Sequence, residues 1–323
     1  MSLVAALVLT MATAAPAASA ASPVESFIEA PGPVGTLKGT MLAPAAGGPV
    51  VLIIPGTGPT DRDGNNARGV KGATYQHLAE GLAASGITSV RIDKRGMFAS
   101  GGAVVDANAV TIADYATDVR SWTASIRHLT GAPCVWLLGH SEGGLVALVA
   151  AKQGGDYCGL ILTATAGRPI GQALREQLKS NPAMKPFVDQ ALAAIVTLEA
   201  GKHVDTTKMD PALLPLLHRE VQDFAISELS YDPAALLTGY AKPVLILQGA
   251  RDIQISEQDA RRLKQADPKA KLVVLPDTNH VLKPVNSNDR AANVAAYADP
   301  TLPLAPKVVE TIAGFITANS KAP

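Results

Sequence analysis

The chain has 323 residues, 47% of them hydrophobic and 17% charged, enough to build a sizeable core in one globular domain. Its 28 basic residues balance 28 acidic ones and no basic stripe is visible, so the charge gives no reason to expect a nucleic acid or other polyanion as partner.

Residues 1–20 read MSLVAALVLTMATAAPAASA and carry no charge. The apolar run Leu3–Ala15 is short for a membrane span, and Ala18-Ser19-Ala20 fits a small-residue cleavage site. We expect a secretory leader, a mature chain beginning near Ala21, and an exported protein, periplasmic or secreted, with no stable membrane insertion after cleavage. The basic n-region of such leaders is missing, which suits a start site upstream of Met1; an uncleaved helix or lipid-facing anchor is the alternative.

Residues 22–48 hold VESFIEA and GTLKGTMLAP around Gly- and Pro-rich turns, a pattern that predicts an antiparallel hairpin. Short β-branched runs then alternate with helical patterns. PVVLIIPG (Pro49–Gly56) reads as a buried strand, YQHLAEGLAAS as a helix, ITSVRID as a strand and TIADYATDVRSWTASIRHLTG as a long amphipathic helix. Strand CVWLLG, helix GLVALVAAKQ and strand CGLILTA follow. Further on, KPVLILQG and AKLVVLP are strands separated by helix SEQDARRLKQA, and PKVVETIAGFITA closes the chain as a helix. Continuous apolar strands alternating with helices imply an α/β fold whose mostly parallel central sheet is covered on both faces. Residues 167–238 interrupt the alternation with the proline-punctuated amphipathic stretches FVDQALAAIVTLEAG and LLPLLHREVQDFAISEL. We read them as an inserted helical cap, with 21–166 and 239–323 as the core.

Cys134 and Cys158 each open a strand-like run. If those strands are parallel neighbours, both cysteines lie at one sheet edge and a bridge is geometrically allowed; the alternative is a pair of ordinary buried thiols.

Between strand CVWLLG and helix GLVALVAAKQ stands Gly139-His140-Ser141-Glu142-Gly143. A serine on so tight a strand-to-helix turn needs residues without bulk two places before and after it. Its hydroxyl then stands above the C-terminal edge of the sheet, and the Glu142 N–H points where an oxyanion would form. A serine becomes a useful nucleophile only when a base takes its proton. His77 and His128 sit in helical patterns, His203 and His218 in the cap, and His140 is too close in sequence to fold back. His280, in the loop DTNHVLK after a strand, is the candidate base. Asp252, just after KPVLILQG, is the candidate acid; Asp277, three residues before His280, competes but suits a turn. A second oxyanion donor is expected after the first parallel strand, where Thr57 is the candidate and Gly58 the second choice, which we also expect to contact substrate. Asp61-Arg62-Asp63 is expected to hold its loop rather than meet substrate, and Asp93, Lys94 and Arg95 to fix loops. Lys283 and Asn286, after the histidine, carry no assigned role.

With IIPGTGPTDRDGN, RIDKRG, GHSEGG, QGARDIQ and NHVLK in place, the sequence from about residue 24 to 320 resembles the α/β-hydrolase superfamily, in the bacterial branch known as serine aminopeptidase S33-like or EstD-like carboxylesterases. The order Ser141, Asp252, His280 is the order of that fold's triad. The resemblance implies the α/β-hydrolase fold, with an acyl-enzyme route to ester hydrolysis, a small-molecule ester as substrate, and no metal or organic cofactor. Many relatives carry a neutral residue at Glu142, so a carboxylate there is expected to repel anionic substrates. The expected activity is cleavage of short to medium acyl esters. The rivals are an S33-type peptidase or amidase, with Glu142, Glu176 or Glu199 gripping a substrate ammonium, a thioester or lipid acyl hydrolase, and a non-catalytic binding protein on the same fold.

Overall fold

Apolar residues at every position of a strand require cover on both faces, and four strands here are buried throughout. The computed structural model describes residues 22–320 apart from residue 288; the expected leader, residues 1–20, lies outside the described residues. In chain order the strands are β1 (Val24–Pro31), β2 (Thr36–Ala43), β3 (Val50–Ile54), β4 (Thr88–Ile92), β5 (Val135–His140), β6 (Tyr157–Thr163), β7 (Val244–Gly249) and β8 (Lys271–Leu275). They form one sheet in the order β1-β2-β4-β3-β5-β6-β7-β8. The hairpin β1–β2 joins β4 antiparallel, and every other pairing is parallel.

Helix α1 (Thr74–Ala84) leads from β3 to β4, α2 (Ile112–Thr130) from β4 to β5, and α3 (Glu142–Gln153) from β5 to β6. Between β6 and β7 lie α4 (Ile170–Ser180), α5 (Val188–Glu199), α6 (Leu214–Leu217), α7 (Arg219–Leu229) and α8 (Pro233–Leu237). α9 (Glu257–Ala266) connects β7 to β8, and α10 (Arg290–Ala295) and α11 (Val308–Asn319) end the chain. Two departures from the sequence reading stand out. LLPLLHREVQDFAISEL is two helices, because His218 takes an extended ψ of 143° and its ring caps Glu220 N–H. Residues 281–304, read as a loop, contain α10, whose first N–H groups are capped by Asp289.

Each sheet face has its own apolar layer. Val119, Trp122 and Ile126 of α2 and Leu145–Ala150 of α3 cover one; Leu78 and Leu82 of α1 with Val308, Ile312 and Ile316 of α11 cover the other. α2 starts at a capping box, Thr111 with Asp114, and stops at Gly131 in the left-handed conformation. The helices between β6 and β7 close a third cluster of their own, around Ile195, Leu198, Leu213, Leu217 and Leu229.

Cys134 and Cys158 are bonded, with Cα atoms 5.1 Å apart, across the paired starts of β5 and β6. The bridge closes a 24-residue separation. Replacing both cysteines with serine should lower unfolding free energy by about 3 kcal/mol. Urea unfolding of the two proteins, without reductant, checks this; equal midpoints would show that the bridge adds nothing.

Candidate active site

The direction of the sheet's winding reverses at β3, which has β4 on one side and β5 on the other. A crevice opens at the carboxyl ends of strands at such a point. The loop after β3 brings Gly56, Thr57 and Gly58 to one side of it, and the turn after β5 brings Ser141 to the other.

Ser141 has φ 55° and ψ −121°, a conformation an L-residue keeps only when its surroundings impose it. Its N–H donates to Thr163 O at 2.9 Å, and its carbonyl accepts from Gly144 N–H at 2.9 Å. The glycine spacing has a direct cause: a Cβ at Gly139 would collide with the Gly143 carbonyl, and a Cβ at Gly143 with the Ile54 carbonyl. The turn closes against β3 only because both are absent.

His280 Nδ1 lies 2.8 Å from Asp252 Oδ2. Both side chains are buried, at 6% and 0% exposure. Asp252 is fixed by donors: Gln254 N–H and Ile255 N–H reach Oδ1 at 2.7 and 2.9 Å, and Gln248 Nε2 reaches Oδ2 at 3.2 Å. Asp277 turns elsewhere, to Arg251. The His280 loop is drawn closed by the bridge between Thr278 and Pro284 and by Asn279 N–H to Lys283 O. Ser141 and His280 line one small cavity of about 150 Å³, together with Thr57, Gln254 and Tyr297. No hydrogen bond joins the Ser141 hydroxyl to the imidazole among the described residues; catalytic bonds of this type commonly tighten only once substrate is bound.

His140 locks the two sides together. Gly56 N–H donates to the Tyr75 hydroxyl at 2.9 Å, and that hydroxyl meets His140 Nδ1 at 2.9 Å. His140 Nε2 meets the His280 carbonyl at 2.8 Å. A carbonyl only accepts, so the proton is assigned to Nε2 and Tyr75 donates to Nδ1. Burial lowers His140 to about 4, with the neighbouring His280 adding to the effect, so the ring stays neutral and the chain of bonds keeps its direction. Tyr75 was not among the residues picked from the sequence, and nothing in YQHLAEGLAAS marks it. Tyr75→Phe leaves Gly56 N–H and His140 Nδ1 buried without partners; unfolding in urea should show a loss of about 1–3 kcal/mol, and an unchanged midpoint would refute the network.

The charged residues mostly hold loops. Arg62 donates to both oxygens of Asp93 and to Thr40, Asp63 pairs with Arg91, and Asp61 Oδ1 accepts from Asp63 and Asn65 N–H. Arg95 grips Asp118 with two bonds of 2.6 Å. Lys94 does more: its Nζ donates to Glu142 Oε1 at 2.9 Å and Gly56 O at 2.8 Å. The Glu142 side chain is fully buried and matched by this cation, so the expected repulsion of anions is offset by Lys94. Lys283, also fully buried, donates to the Leu302 carbonyl and meets His77 Nδ1 at 3.0 Å, tying the segment beyond His280 to α1.

A second cavity of about 400 Å³ lies under the helices between β6 and β7. Thr57 and Gly58 line it together with Leu174, Ile195, Leu198 and Phe224. Thr57 lines both cavities. Among the described residues no cluster of His, Cys, Asp and Glu could hold a metal ion.

Residues 68–283 match a family model described as serine aminopeptidase, S33. The chain is 26% identical over 270 residues to esterase EstD of Thermotoga maritima, an alignment covering 80% of this chain and 61% of that esterase's length. Among solved structures it is similar to a thermophilic esterase of Thermogutta terrifontis (TM-score 0.55, 19% identity, 93% of this chain and 100% of that one). It is also similar to the Pyrococcus furiosus esterase Pf2001 (TM-score 0.57, 14% identity, 92% and 93%). At these identities the likeness to the solved structures concerns the fold, which is that of the α/β hydrolases.

Proposed function

Because the chain belongs to the serine aminopeptidase S33 family, we propose that it is a serine hydrolase that cleaves carboxylic esters through an acyl-enzyme. The observation that carries this reading is the His280–Asp252 bond beside the cavity that also exposes Ser141. His280 takes the Ser141 proton as the oxygen attacks the ester carbonyl; Asp252 holds the ring and stabilises its cation. Thr57 and Glu142 N–H groups bind the oxyanion. Glu142 is the first residue of α3, where an N–H has no partner within the helix.

The two cavities divide the substrate. The base that protonates the departing alcohol is His280, so the alcohol side faces the small polar cavity, and the acyl chain runs past Thr57 into the apolar one. A 400 Å³ apolar space suits short to medium acyl chains. The aminopeptidase reading is weaker, because its ammonium-binding candidates are engaged: Glu176 by Arg168, Glu199 by Arg175 and Glu142 by Lys94. We also place the protein outside the cytoplasm, as a periplasmic or secreted enzyme. The Cys134–Cys158 bridge supports this, since such bonds persist in oxidising compartments.

Hydrolysis of p-nitrophenyl esters from acetate to decanoate, alongside a proline arylamide and a long-chain thioester, tests the reading. Fast cleavage of the shorter esters with an inert arylamide is expected. Arylamide turnover would move the assignment to a peptidase, and thioester preference to an acyl-thioester hydrolase.

A further inference from the structure

Ser141, His280, Asp252 and two backbone amides account for the reaction and leave other polar groups of the small cavity uncommitted. Gln254 and Tyr297 line that cavity beside Ser141 and His280. Gln254 is fixed through its backbone: its N–H donates to Asp252 Oδ1 at 2.7 Å, and its carbonyl accepts from Gln177 Nε2 of α4 at 2.8 Å. Tyr297 is fixed likewise, its N–H donating to the Val294 carbonyl at 3.1 Å and its carbonyl accepting from Lys71 N–H at 2.8 Å. Among the described residues their side chains make one hydrogen bond, to each other, with Gln254 Nε2 lying 3.1 Å from the Tyr297 hydroxyl.

A tyrosine hydroxyl both gives and takes a hydrogen bond, and a side-chain amide does so through separate atoms. With Gln254 Nε2 donating, the Tyr297 O–H and Gln254 Oε1 are left over. With the amide turned round, an N–H and a hydroxyl lone pair are left over. In either arrangement the pair keeps a free donor and a free acceptor. Asn66 lines the same cavity; its Oδ1 accepts from the Arg68 and Val70 N–H groups, and its Nδ2 has no partner among the described residues.

A hydroxyl group uses a donor and an acceptor together, and neighbouring hydroxyls on a ring use several. The cavity of about 150 Å³ is more than a three-carbon alcohol fills. Gln254 and Tyr297 also line a further cavity of about 500 Å³, whose wall includes the polar Gln177, Ser180 and Asn181. Arg68 and Arg290 border that outer space but are exposed to solvent, where a single charge contributes little.

We propose that the alcohol half of the preferred ester is a sugar: Gln254 and Tyr297 are specificity-determining residues that exchange hydrogen bonds with its hydroxyls, while the acyl half lies in the apolar cavity. This deepens the ester-hydrolase reading and rests on it.

The test measures kcat/KM in a pH-stat on three butyrate esters. They are methyl glucoside acylated at its primary hydroxyl, cyclohexylmethyl butyrate, whose ring is of the same size without hydroxyls, and glycerol monobutyrate. The wild-type protein should favour the glucoside ester over the cyclohexylmethyl ester by about 10-fold, and should also favour it over glycerol monobutyrate. Tyr297→Phe keeps the ring and removes the hydroxyl; Gln254→Met keeps the length and the backbone N–H on Asp252. Each should cut the glucoside-to-cyclohexylmethyl ratio about 3-fold, and the double variant should bring it near one. A defect in folding or in the triad lowers both rates and leaves this ratio unmoved. A ratio near one in the wild type, a ratio that survives both substitutions, or glycerol monobutyrate as the best substrate overturns the proposal. p-Nitrophenyl butyrate separates it from the hydrolase reading. Turnover of that ester without a sugar preference overturns the sugar assignment alone, and no turnover of any ester overturns both.

Discussion

Replacing Ser141 with alanine should lower kcat on p-nitrophenyl esters by about 10⁴–10⁶-fold. The size follows from what is lost and what stays. The nucleophile disappears, and with it the acyl-enzyme. The Thr57 and Glu142 amides and the acyl cavity remain, so a residual advantage over water persists. Alanine differs from serine by one oxygen, and the backbone donor and acceptor of residue 141 keep their partners, Thr163 and Gly144. The variant should therefore fold. Circular dichroism and the urea midpoint check that, and steady-state kinetics check the loss. A folded variant with more than a few per cent of wild-type kcat would remove Ser141 from the chemistry.

The second large effect is at Asp252. Asp252→Asn should lower kcat by about 10⁴-fold. Oδ1 is pinned by two backbone N–H groups, at 2.7 and 2.9 Å, so the asparagine oxygen is held at that position. Its NH₂ group then faces His280 Nδ1, where a donor now meets what was itself a donor. His280 is driven to the other tautomer, with its proton on Nε2, and cannot accept from Ser141. The pH profile distinguishes this from simple misfolding. A structural defect lowers activity equally at all pH values, whereas a reversed tautomer gives partial recovery at high pH. If Asp252→Asn stays near wild-type activity while Asp277→Asn does not, the acid has been misassigned.

Much of this architecture was legible because it depends on local pattern. The apolar runs PVVLIIPG and KPVLILQG contain strands buried at every position, and strands buried on both faces leave no polar alternation to confuse with a helix. The glycines around Ser141 were readable because the turn excludes side chains there. Asp252 and His280 were readable as polar residues just beyond strands, and the structure brings them to 2.8 Å although they are 28 residues apart. What the sequence did not disclose are contacts fixed by packing alone. Tyr75 and His140 are 65 residues apart, and Lys94 and Glu142 are 48 apart. Nothing local tells a tyrosine in an amphipathic helix that its hydroxyl will hold a loop. Lys283 reads as a surface residue until the tail folds over it, and Glu228 reads as the polar face of a helix until α7 is laid across the cavity.

The separate apolar cluster of the cap has an evolutionary consequence. Ile195 and Leu198 line the larger cavity, yet they pack with Leu213, Leu217 and Leu229 rather than with the layers that hold the sheet. Substitutions there are felt by the cap's own packing first, and the turn that carries Ser141 is supported by β3, β5 and β6. Selection can therefore redraw which chains fit while the hydrolytic apparatus stays under its own, independent constraint. A lineage built this way acquires new substrates by drift in one module, and its members keep a shared chemistry long after their preferences have diverged.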